Sequence, residues 1–242
     1  MAWFGASADG LARALALPQV AALETVGSTM DEAHRLAGSG APAGTLVVAE
    51  RQDAGRGRGG KRWTSAPRAG LWLTLIERPH DPRAIEVLSL RVGLRMARVL
   101  ERWTDAPIRL KWPNDLFVGS RKLAGVLIEA RWRDQRPDWV AIGVGINLEL
   151  PPDQLEAAAL REAAPHEVLG ELVPALRAAA FASGPLSDAE CAEFAARDLA
   201  LGRPLREPMA GTARGITTDG ALLIESNGTL TPVRAGSLVF SP

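Results

Sequence analysis

The chain has 242 residues with 28 basic and 28 acidic side chains; this is enough for one or two domains, and the balanced charge argues against a protein that binds nucleic acid mainly through phosphates. Its single cysteine excludes an internal disulfide framework, and its three scattered histidines argue against a His/Cys metal site. Because no apolar run reaches the length of a membrane span and the N-terminus lacks signal-peptide features, we predict a soluble globular protein of the cytoplasm, with no membrane partner.

Helix and strand signals alternate through the first hundred residues. Ser28-Thr29, followed by two acidic residues, predicts a helix that starts there and runs to about residue 38 or 40. Residues 45–50 form a predicted strand, and the apolar run 71–76 predicts a second strand buried on both faces. Apolar residues recur at helical spacing between residues 82 and 103, so we expect a helix there.

The middle of the chain carries strand signals first and helix signals afterwards. Residues 108–110, 124–130 and 140–146 are predicted strands, and a polar, hairpin-like connection joins the last two. Residues 153–201 are rich in alanine and leucine and predict two or three helices, with breaks near Pro165 and Pro185.

The pattern changes again at about residue 199. Asp219-Gly220 and Asn227-Gly228 are hairpin-turn signals on either side of an apolar strand, and residues 237–240 predict another short strand. About 40 residues of β-structure are too few for a comfortable independent core, so we expect a small barrel packed on a larger domain. The predicted domains are residues 1–198 and 199–242.

Lysine is rare in this sequence. Lys61, Lys111 and Lys122 are the only lysines among the 28 basic residues. A bias in base composition that turns lysines into arginines explains the preference. Under such a bias, a lysine is retained where the wide planar fork of arginine does not fit, so the three lysines are candidate functional residues.

The segment Gly55–Trp63, with the sequence Gly-Arg-Gly-Arg-Gly-Gly-Lys-Arg-Trp, is the strongest functional signal. Its glycines leave backbone N–H groups free to surround a ligand, and its cations favour an anionic one. The spacing matches neither a P-loop nor a Rossmann fingerprint. Taken alone, the segment is also compatible with a mobile surface loop or part of an RNA-binding Arg-Gly tract.

Three further segments carry polar groups next to predicted strands. Lys111–Asp115 reads Lys-Trp-Pro-Asn-Asp, which combines turn chemistry with a rare lysine and a tryptophan. Arg121–Gly125 begins a strand and directs Lys122 toward the same pocket. Gly143–Asn147 places an asparagine at the end of an apolar strand, where Gly145 allows close backbone approach.

Together these four segments resemble the biotin protein ligases, in the same order and at similar spacing over nearly the whole chain. Ser28-Thr29 matches that family's Ser-Thr-Asn helix start, and the C-terminal hairpins match its SH3-like barrel. Met30 departs from the family's asparagine, and Gly59 and Lys61 stand where the family often has arginine. No residues precede the catalytic domain that could form the helix-turn-helix of repressor-type members, so the chain resembles the short, ligase-only class.

The resemblance implies an α+β fold, in which helices flank a mixed β-sheet like that of class II synthetases, followed by the SH3-like barrel. It also implies a two-step reaction. Biotin and ATP, with Mg²⁺ accompanying the nucleotide, give biotinyl-5′-AMP and pyrophosphate. A lysine of the biotin carboxyl carrier protein of acetyl-CoA carboxylase then displaces AMP. Specific DNA is not an expected partner, and a homodimer is possible.

The resemblance further implies roles for individual residues. Arg58 and Lys122 would bind the biotin carboxylate and then the adenylate phosphate, Lys111 would face the α-phosphate or pyrophosphate, and Asp115 would orient or deprotonate the acceptor lysine. The implied biotin-binding residues are Ser28, Thr29, Gln52, Arg56, Gly57, Arg58, Lys122 and Gly125. The implied ATP-binding residues are Arg58, Lys61, Trp63, Asn114, Asp115 and Asn147, and no metal ligand is expected from the protein. Since all of these precede residue 150, the C-terminal segment is not needed to line the pocket, and its hairpins could support the nucleotide side or contact the carrier protein.

Two alternatives remain open from the sequence. A lipoate or octanoate ligase or transferase shares the fold and also has a pocket lysine, although the polar Ser-Thr-Gln set and the glycine-rich segment favour biotin. A non-catalytic nucleic-acid-binding regulator is the second, and the balanced charge argues against it.

Overall fold

The computed structural model describes residues 2–150 and 156–241, which contain a large mixed β-sheet. Its seven strands lie in the order β3-β4-β5-β9-β8-β7-β6. The strands are β3 (Gln19–Val26), β4 (Thr45–Gln52), β5 (Gly70–Glu77), β6 (Ile108–Lys111), β7 (Asp115–Val118), β8 (Arg121–Arg133) and β9 (Arg136–Asn147). β3 and β4 are parallel and all other neighbours are antiparallel, so the predicted mixed sheet is confirmed. The short strands β1 (Ala2–Trp3) and β2 (Ala6–Ser7) pair with each other.

Helices cover both faces of this sheet. They are α1 (Ala8–Ala14), α2 (Thr29–Gly38), α3 (Pro82–Glu86), α4 (Leu88–Leu100), α5 (Pro165–Ala180) and α6 (Asp188–Arg197). On one face, Ala33 and Ala37 of α2 pack against Val47, Ile76 and Trp139. On the other face, α4 and α5 pack on the alternate strand residues in the main core. Every residue of β5 is therefore buried, as its continuous apolar run predicted.

The helix boundaries follow local capping chemistry. The Ser28 hydroxyl accepts a hydrogen bond from the Met30 N–H at 3.2 Å, which confirms the predicted start of α2. The helical pattern of residues 82–103 is interrupted at Val87, giving α3, α4 and a final 3₁₀ turn. In the 153–201 region two helices form, and residues 156–164 are not helical. Residues 153–155 of that prediction lie outside the described residues.

The C-terminal segment forms a five-stranded antiparallel sheet, consistent with a small SH3-like domain. Its strands, in the order β13-β12-β11-β10-β14, are β10 (Pro204–Glu207), β11 (Gly211–Ile216), β12 (Leu222–Ser226), β13 (Thr229–Val233) and β14 (Val239–Phe240). Asn227 and Gly228 both have positive φ, 50° and 75°, as the predicted hairpin turn requires. The predicted strand 237–240 is shorter than expected. Helix α6 ends at Arg197 and β10 begins at Pro204, and the division into domains at residue 198 stays a prediction.

The turn between β11 and β12 of the small sheet is hydrogen-bonded to the larger unit. The Trp112 indole N–H donates to the Gly220 carbonyl at 3.0 Å, and the Leu186 N–H donates to the Thr218 carbonyl at 2.8 Å. These contacts bring one end of the small sheet beside β6 and β7. No helix in the described parts of the chain is long and apolar enough to cross a membrane.

Candidate active site

Two adjoining cavities lie where the start of α2, the glycine-rich segment and strands β7, β8 and β9 meet. The first cavity has a volume of about 180 Å³ and the second about 530 Å³. Trp63, Asp115 and Lys122 line both, so the two cavities meet at these side chains. The first is lined by the residues predicted to bind biotin, and its lining includes neutral polar groups, apolar side chains and cations.

The neutral polar side chains that line the first cavity belong to one hydrogen-bond network. The Gln52 side-chain carbonyl accepts from the Thr29 N–H at 2.8 Å and from the Thr29 hydroxyl at 3.1 Å. The Thr74 hydroxyl donates to the Thr29 hydroxyl at 2.9 Å, and the Gln52 amide donates to the Ser65 hydroxyl at 2.9 Å. The Ser28 hydroxyl hydrogen and the second Gln52 amide hydrogen remain available to a ligand. Thr74 and Ser65 were missed from the sequence, since nothing local distinguishes them.

Part of the lining of the first cavity is apolar. Met30, Leu73, Val126, Leu127 and Val144 line it. A Cβ added at Gly143 would lie 2.7 Å from the Met30 methyl carbon, so the methionine packs directly on the strand backbone. Met30, the departure from the family's asparagine, therefore supplies an apolar surface at this position.

The segment Gly55–Trp63 forms a hairpin beside the cavity, which we call the glycine hairpin. The Gly57 N–H donates to the Lys61 carbonyl at 2.7 Å and the Trp63 N–H to the Gly55 carbonyl at 2.9 Å. At its tip, Gly59 and Gly60 have φ values of 67° and 75°, which residues with a Cβ rarely adopt. The glycines thus allow the turn that places Arg56, Gly57, Arg58 and Lys61 along the cavity.

Trp63 ends the hairpin and lies flat against two strand glycines. A Cβ added at Gly125 would lie 2.9 Å from the indole ring, and one at Gly145 would lie 2.6 Å from it. Both glycines are therefore required for the indole to reach its position. The Trp63 indole N–H is buried and has no hydrogen-bond partner among the described residues, so it can donate to a ligand.

Lys122 and Asp115 form the charged centre of the site. Lys122 Nζ lies 2.7 Å from Asp115 Oδ1 and 5.0 Å from the centre of the Trp63 ring. Asp115 pairs with Gly125 across β7 and β8, which sets it beside the lysine. A lysine at the start of β8 that reaches this pocket is what the sequence predicted.

Lys111 lies in the second cavity, where burial lowers its pKa. The positive charges of Lys122, Lys61 and Arg203 lower this pKa further, and the negative charge of Asp115 partly offsets the lowering. Lys111 Nζ lies 5.8 Å from the Phe117 ring centre and 5.4 Å from that of Phe240, a residue of β14. The Arg203 guanidinium also stacks on Phe240, 3.6 Å from the ring centre. Several cations thus converge near this cavity.

The two asparagines of the predicted nucleotide site make backbone contacts. The Asn114 amide donates to the Val126 carbonyl at 2.8 Å. Buried Asn147 donates to the carbonyls of Ala158 at 3.0 Å and Lys122 at 3.3 Å. Asn114 lines the first cavity and Asn147 the second. Their contact with a nucleotide stays a prediction. In the structure, both side chains donate hydrogen bonds to backbone carbonyls of β8.

The C-terminal segment also lines the pocket, although the sequence did not indicate a need for it there. Ser237 lines the first cavity, and the Arg58 guanidinium donates to the Gly236 carbonyl at 2.5 Å. Phe240 contacts Lys111 at the second cavity. No sequence signal connects these positions, because they are about 180 residues from the hairpin and only the packing of the small sheet joins them.

The predicted site residues are otherwise gathered into these two cavities. The first is lined by Ser28, Thr29, Gln52, Arg56, Gly57, Arg58, Lys61, Trp63, Asn114, Asp115, Lys122 and Gly125, and the second by Lys111 and Asn147 with the shared residues. Within the described residues, no three His, Cys, Asp or Glu side chains cluster as metal ligands would.

Comparison with known proteins gives consistent matches. The model of the biotin/lipoate A/B protein ligase family matches residues 23–147. The bifunctional ligase/repressor BirA of Bacillus subtilis is 37% identical over 131 residues, which cover 54% of this chain and 40% of that protein. The chain thus spans less than half the length of this relative. The biotin–[acetyl-CoA-carboxylase] ligase of Mycobacterium tuberculosis is 31% identical over 240 residues, covering 91% of this chain and 88% of the relative.

The fold has close matches among solved structures. The biotin protein ligase of Aquifex aeolicus, in complex with biotin and ATP, superposes with a TM-score of 0.76. The two sequences are 26% identical, and the match covers 93% of this chain and 100% of the other.

Proposed function

This chain belongs to the biotin/lipoate A/B protein ligase family, and we propose that it activates biotin with ATP and transfers it to a lysine of a carrier protein. The observation that carries the proposal is the lining of the first cavity, which combines neutral hydrogen-bonding groups, apolar side chains and cations. Biotin has the matching kinds of groups: a neutral ureido ring, an apolar chain and a carboxylate.

The similar proteins support the choice of substrates. The Aquifex aeolicus structure holds biotin and ATP, and the Mycobacterium tuberculosis relative is named for acetyl-CoA carboxylase. We therefore take biotin and ATP with Mg²⁺ as the substrates, and the biotin carboxyl carrier protein of acetyl-CoA carboxylase as the acceptor. We assign the reaction to the cytoplasm, without specific DNA binding, which the balanced charge supports. Residues 1–198 would form the catalytic domain, and a homodimer stays a prediction.

Recognition of the ureido ring would use the donors that the polar network leaves free. The Ser28 hydroxyl and the second Gln52 amide hydrogen can donate to the ring carbonyl. Thr29 would act by fixing Gln52 through its two hydrogen bonds. Backbone groups of Arg56 to Arg58 would contact the rest of the ligand, and Gly125 would act by admitting the Trp63 indole.

In the first step, a carboxylate oxygen of biotin attacks the α-phosphorus of ATP, and the bond to the leaving pyrophosphate breaks. Arg58 and Lys122 would hold the carboxylate and α-phosphate together, and Lys111 would stabilise the charge on the leaving group. The chemistry requires no proton transfer, so positioning and electrostatic stabilisation carry the catalysis. Lys61, Trp63, Asn114 and Asn147 would contact the nucleotide.

In the second step, the amine of the acceptor lysine attacks the acyl carbon, AMP leaves and the amine loses a proton. Asp115 would accept a hydrogen bond from the incoming amine and receive that proton. Its ion pair with Lys122 places the carboxylate where the two cavities meet, next to the expected position of the anhydride. The same pair keeps Lys122 directed at the reacting phosphate.

The test is modification of a carrier protein. The purified chain, MgATP and an apo carrier domain are incubated with biotin, lipoate or octanoate, and mass spectrometry locates any acyl group. We expect biotin on one lysine of the carrier, and none with Lys122→Ala. Transfer of lipoate or octanoate without biotin would contradict the proposal and favour the lipoate ligases of the same family.

A further inference from the structure

The side chain of Arg56 joins the glycine hairpin to two other elements. Its guanidinium lies 2.6 Å from Asp31 of α2 and 2.6 Å from Glu129 of β8. The proposed contact with biotin uses the Arg56 backbone, so the side chain is available for another role. It bridges α2 and β8 at one edge of the hairpin.

Glu129 is itself held by a chain of hydrogen bonds. Its second oxygen lies 3.0 Å from His34 Nε2, and the Trp139 indole N–H donates to His34 Nδ1 at 3.0 Å. Because an indole nitrogen only donates, His34 Nδ1 is the acceptor and the proton lies on Nε2, which donates to Glu129. The buried Trp139 thereby fixes the histidine, and the histidine fixes the carboxylate.

We propose that Glu129 is a positioning residue, which holds the glycine hairpin over the first cavity through Arg56. Asp31 contributes less, because its side chain is 60% exposed and that of Glu129 is 28% exposed. The effect on catalysis rests on the proposed function, since it requires the hairpin to cover the activated acid. The attachment of the hairpin in the ligand-free protein is independent of that function.

The hairpin has a second attachment near its tip, from Arg58 to the Gly236 carbonyl. Loss of the Glu129 contact therefore loosens the edge at Arg56, where Asp31 is the remaining partner, and leaves the tip attached. The cations proposed to act on the reacting groups are unchanged. We thus expect weaker retention of biotin and its adenylate, with a kcat near the wild-type value and a KM for biotin raised about three- to tenfold.

Hydrogen exchange of the ligand-free protein tests the attachment directly. In Glu129→Gln, the Gly57 and Trp63 amides of the hairpin should exchange roughly three- to tenfold faster than in the wild type. His34→Phe keeps the ring but removes the donor to Glu129, so it should give a smaller increase at the same amides. Glu32→Gln is the matched control, because it removes a carboxylate of α2 that pairs with Arg35 and does not touch the hairpin. It should leave the exchange rates of the Gly57 and Trp63 amides unchanged.

Hairpin exchange within twofold of the wild type in Glu129→Gln would overturn the proposal. Equal acceleration throughout α2 and β8 would also overturn it, because Glu129 would then stabilise the fold generally. The kinetic measurement is separate. If the wild-type chain activates no biotin, the proposed function fails, while faster exchange confined to the hairpin still supports the role of Glu129.

Discussion

Lys122 Nζ lies 2.7 Å from Asp115 Oδ1 at the junction of the two cavities. The lysine therefore carries a compensated charge in the ligand-free protein, and an incoming carboxylate or phosphate must share it with Asp115. In the proposed reaction, Asp115 positions Lys122 during activation of biotin and accepts the proton of the acceptor amine during transfer. The same ion pair therefore takes part in both steps. It also explains why a compact ammonium stands here: the space between the carboxylate and the Trp63 ring is narrow.

Replacing Lys122 should therefore stop activation. We expect Lys122→Ala to lower the rate of adenylate formation by about 10²–10³, the usual effect of removing one preorganised group that stabilises developing charge. Lys122→Arg should also fail, because the planar fork does not fit between Asp115 and Trp63. Single-turnover formation of biotinyl-AMP measures both. Arg121→Ala, which removes the exposed neighbouring cation, is the control, and wild-type turnover by Lys122→Arg would refute the assignment.

Arg58→Gly should release the adenylate. A charge-assisted hydrogen bond contributes about 1.5–3 kcal/mol, so its loss raises the dissociation rate of biotinyl-AMP by roughly ten- to a hundredfold. The escaped anhydride would then acylate lysines of bystander proteins, which biotin incorporation into albumin measures. Arg68→Gly makes the same substitution at an exposed residue after the hairpin and should label only the carrier. Adenylate synthesis by Arg58→Gly with labelling confined to the carrier would show that Arg58 does not retain the intermediate.

Phe240→Ala should weaken the use of ATP. The ring covers Lys111 from the small sheet, and a cation–π contact of about 0.5–1 kcal/mol corresponds to a two- to fivefold rise in the KM for ATP. The KM for biotin should stay near the wild-type value, because the first cavity does not include Phe240. Leu230→Ala, at an exposed leucine of β13, controls for general damage to the small sheet. Equal changes in both KM values would contradict this role.

Asp198 should make stability depend on pH. Burial raises its pKa from 3.8 to about 6, although the hydrogen bond from the Ala200 N–H and the charge of Arg109 partly offset this rise. The folded state therefore holds the proton more tightly than the unfolded state, so stability falls as the pH rises from about 4 to about 6 and the loss persists above that. Asp198→Asn removes the charge and should raise the free energy of unfolding at pH 7.5 by up to about 3 kcal/mol.

Urea unfolding at pH 4 and pH 7.5 checks this expectation. The difference between Asp198→Asn and the wild type should be small at pH 4 and large at pH 7.5. A difference that is the same at both pH values would mean that Asp198 does not titrate in this range.

The sequence predicted the parts of the fold that depend on local patterns. The apolar run in β5, the capped start of α2 and the Asn227-Gly228 turn each follow from a few neighbouring residues. Strand β3, which pairs with β4 at the edge of the sheet, escaped because its mixed polar and small residues carry no clear period.

The site was predictable from short segments that are dense in glycine and charge, and its long-range contacts were not. Neither the contact of Arg58 with Gly236 nor the packing of Met30 on Gly143 has a local signal, because each depends on how distant elements pack. The ion pairs of Arg56 with Asp31 and Glu129 are of the same kind. The residue types in these segments indicated an anion-binding site, whereas only the tertiary structure shows which of its side chains contact one another.

ATP–pyrophosphate exchange by the purified chain, with biotin, lipoate or octanoate as the only acid, decides whether this protein activates biotin. We expect exchange that depends on biotin, is absent with the other two acids, and is lost in Lys122→Ala but retained in Arg121→Ala. Exchange that depends on lipoate or octanoate but not on biotin, or exchange with biotin that survives the loss of Lys122, would contradict the proposed function.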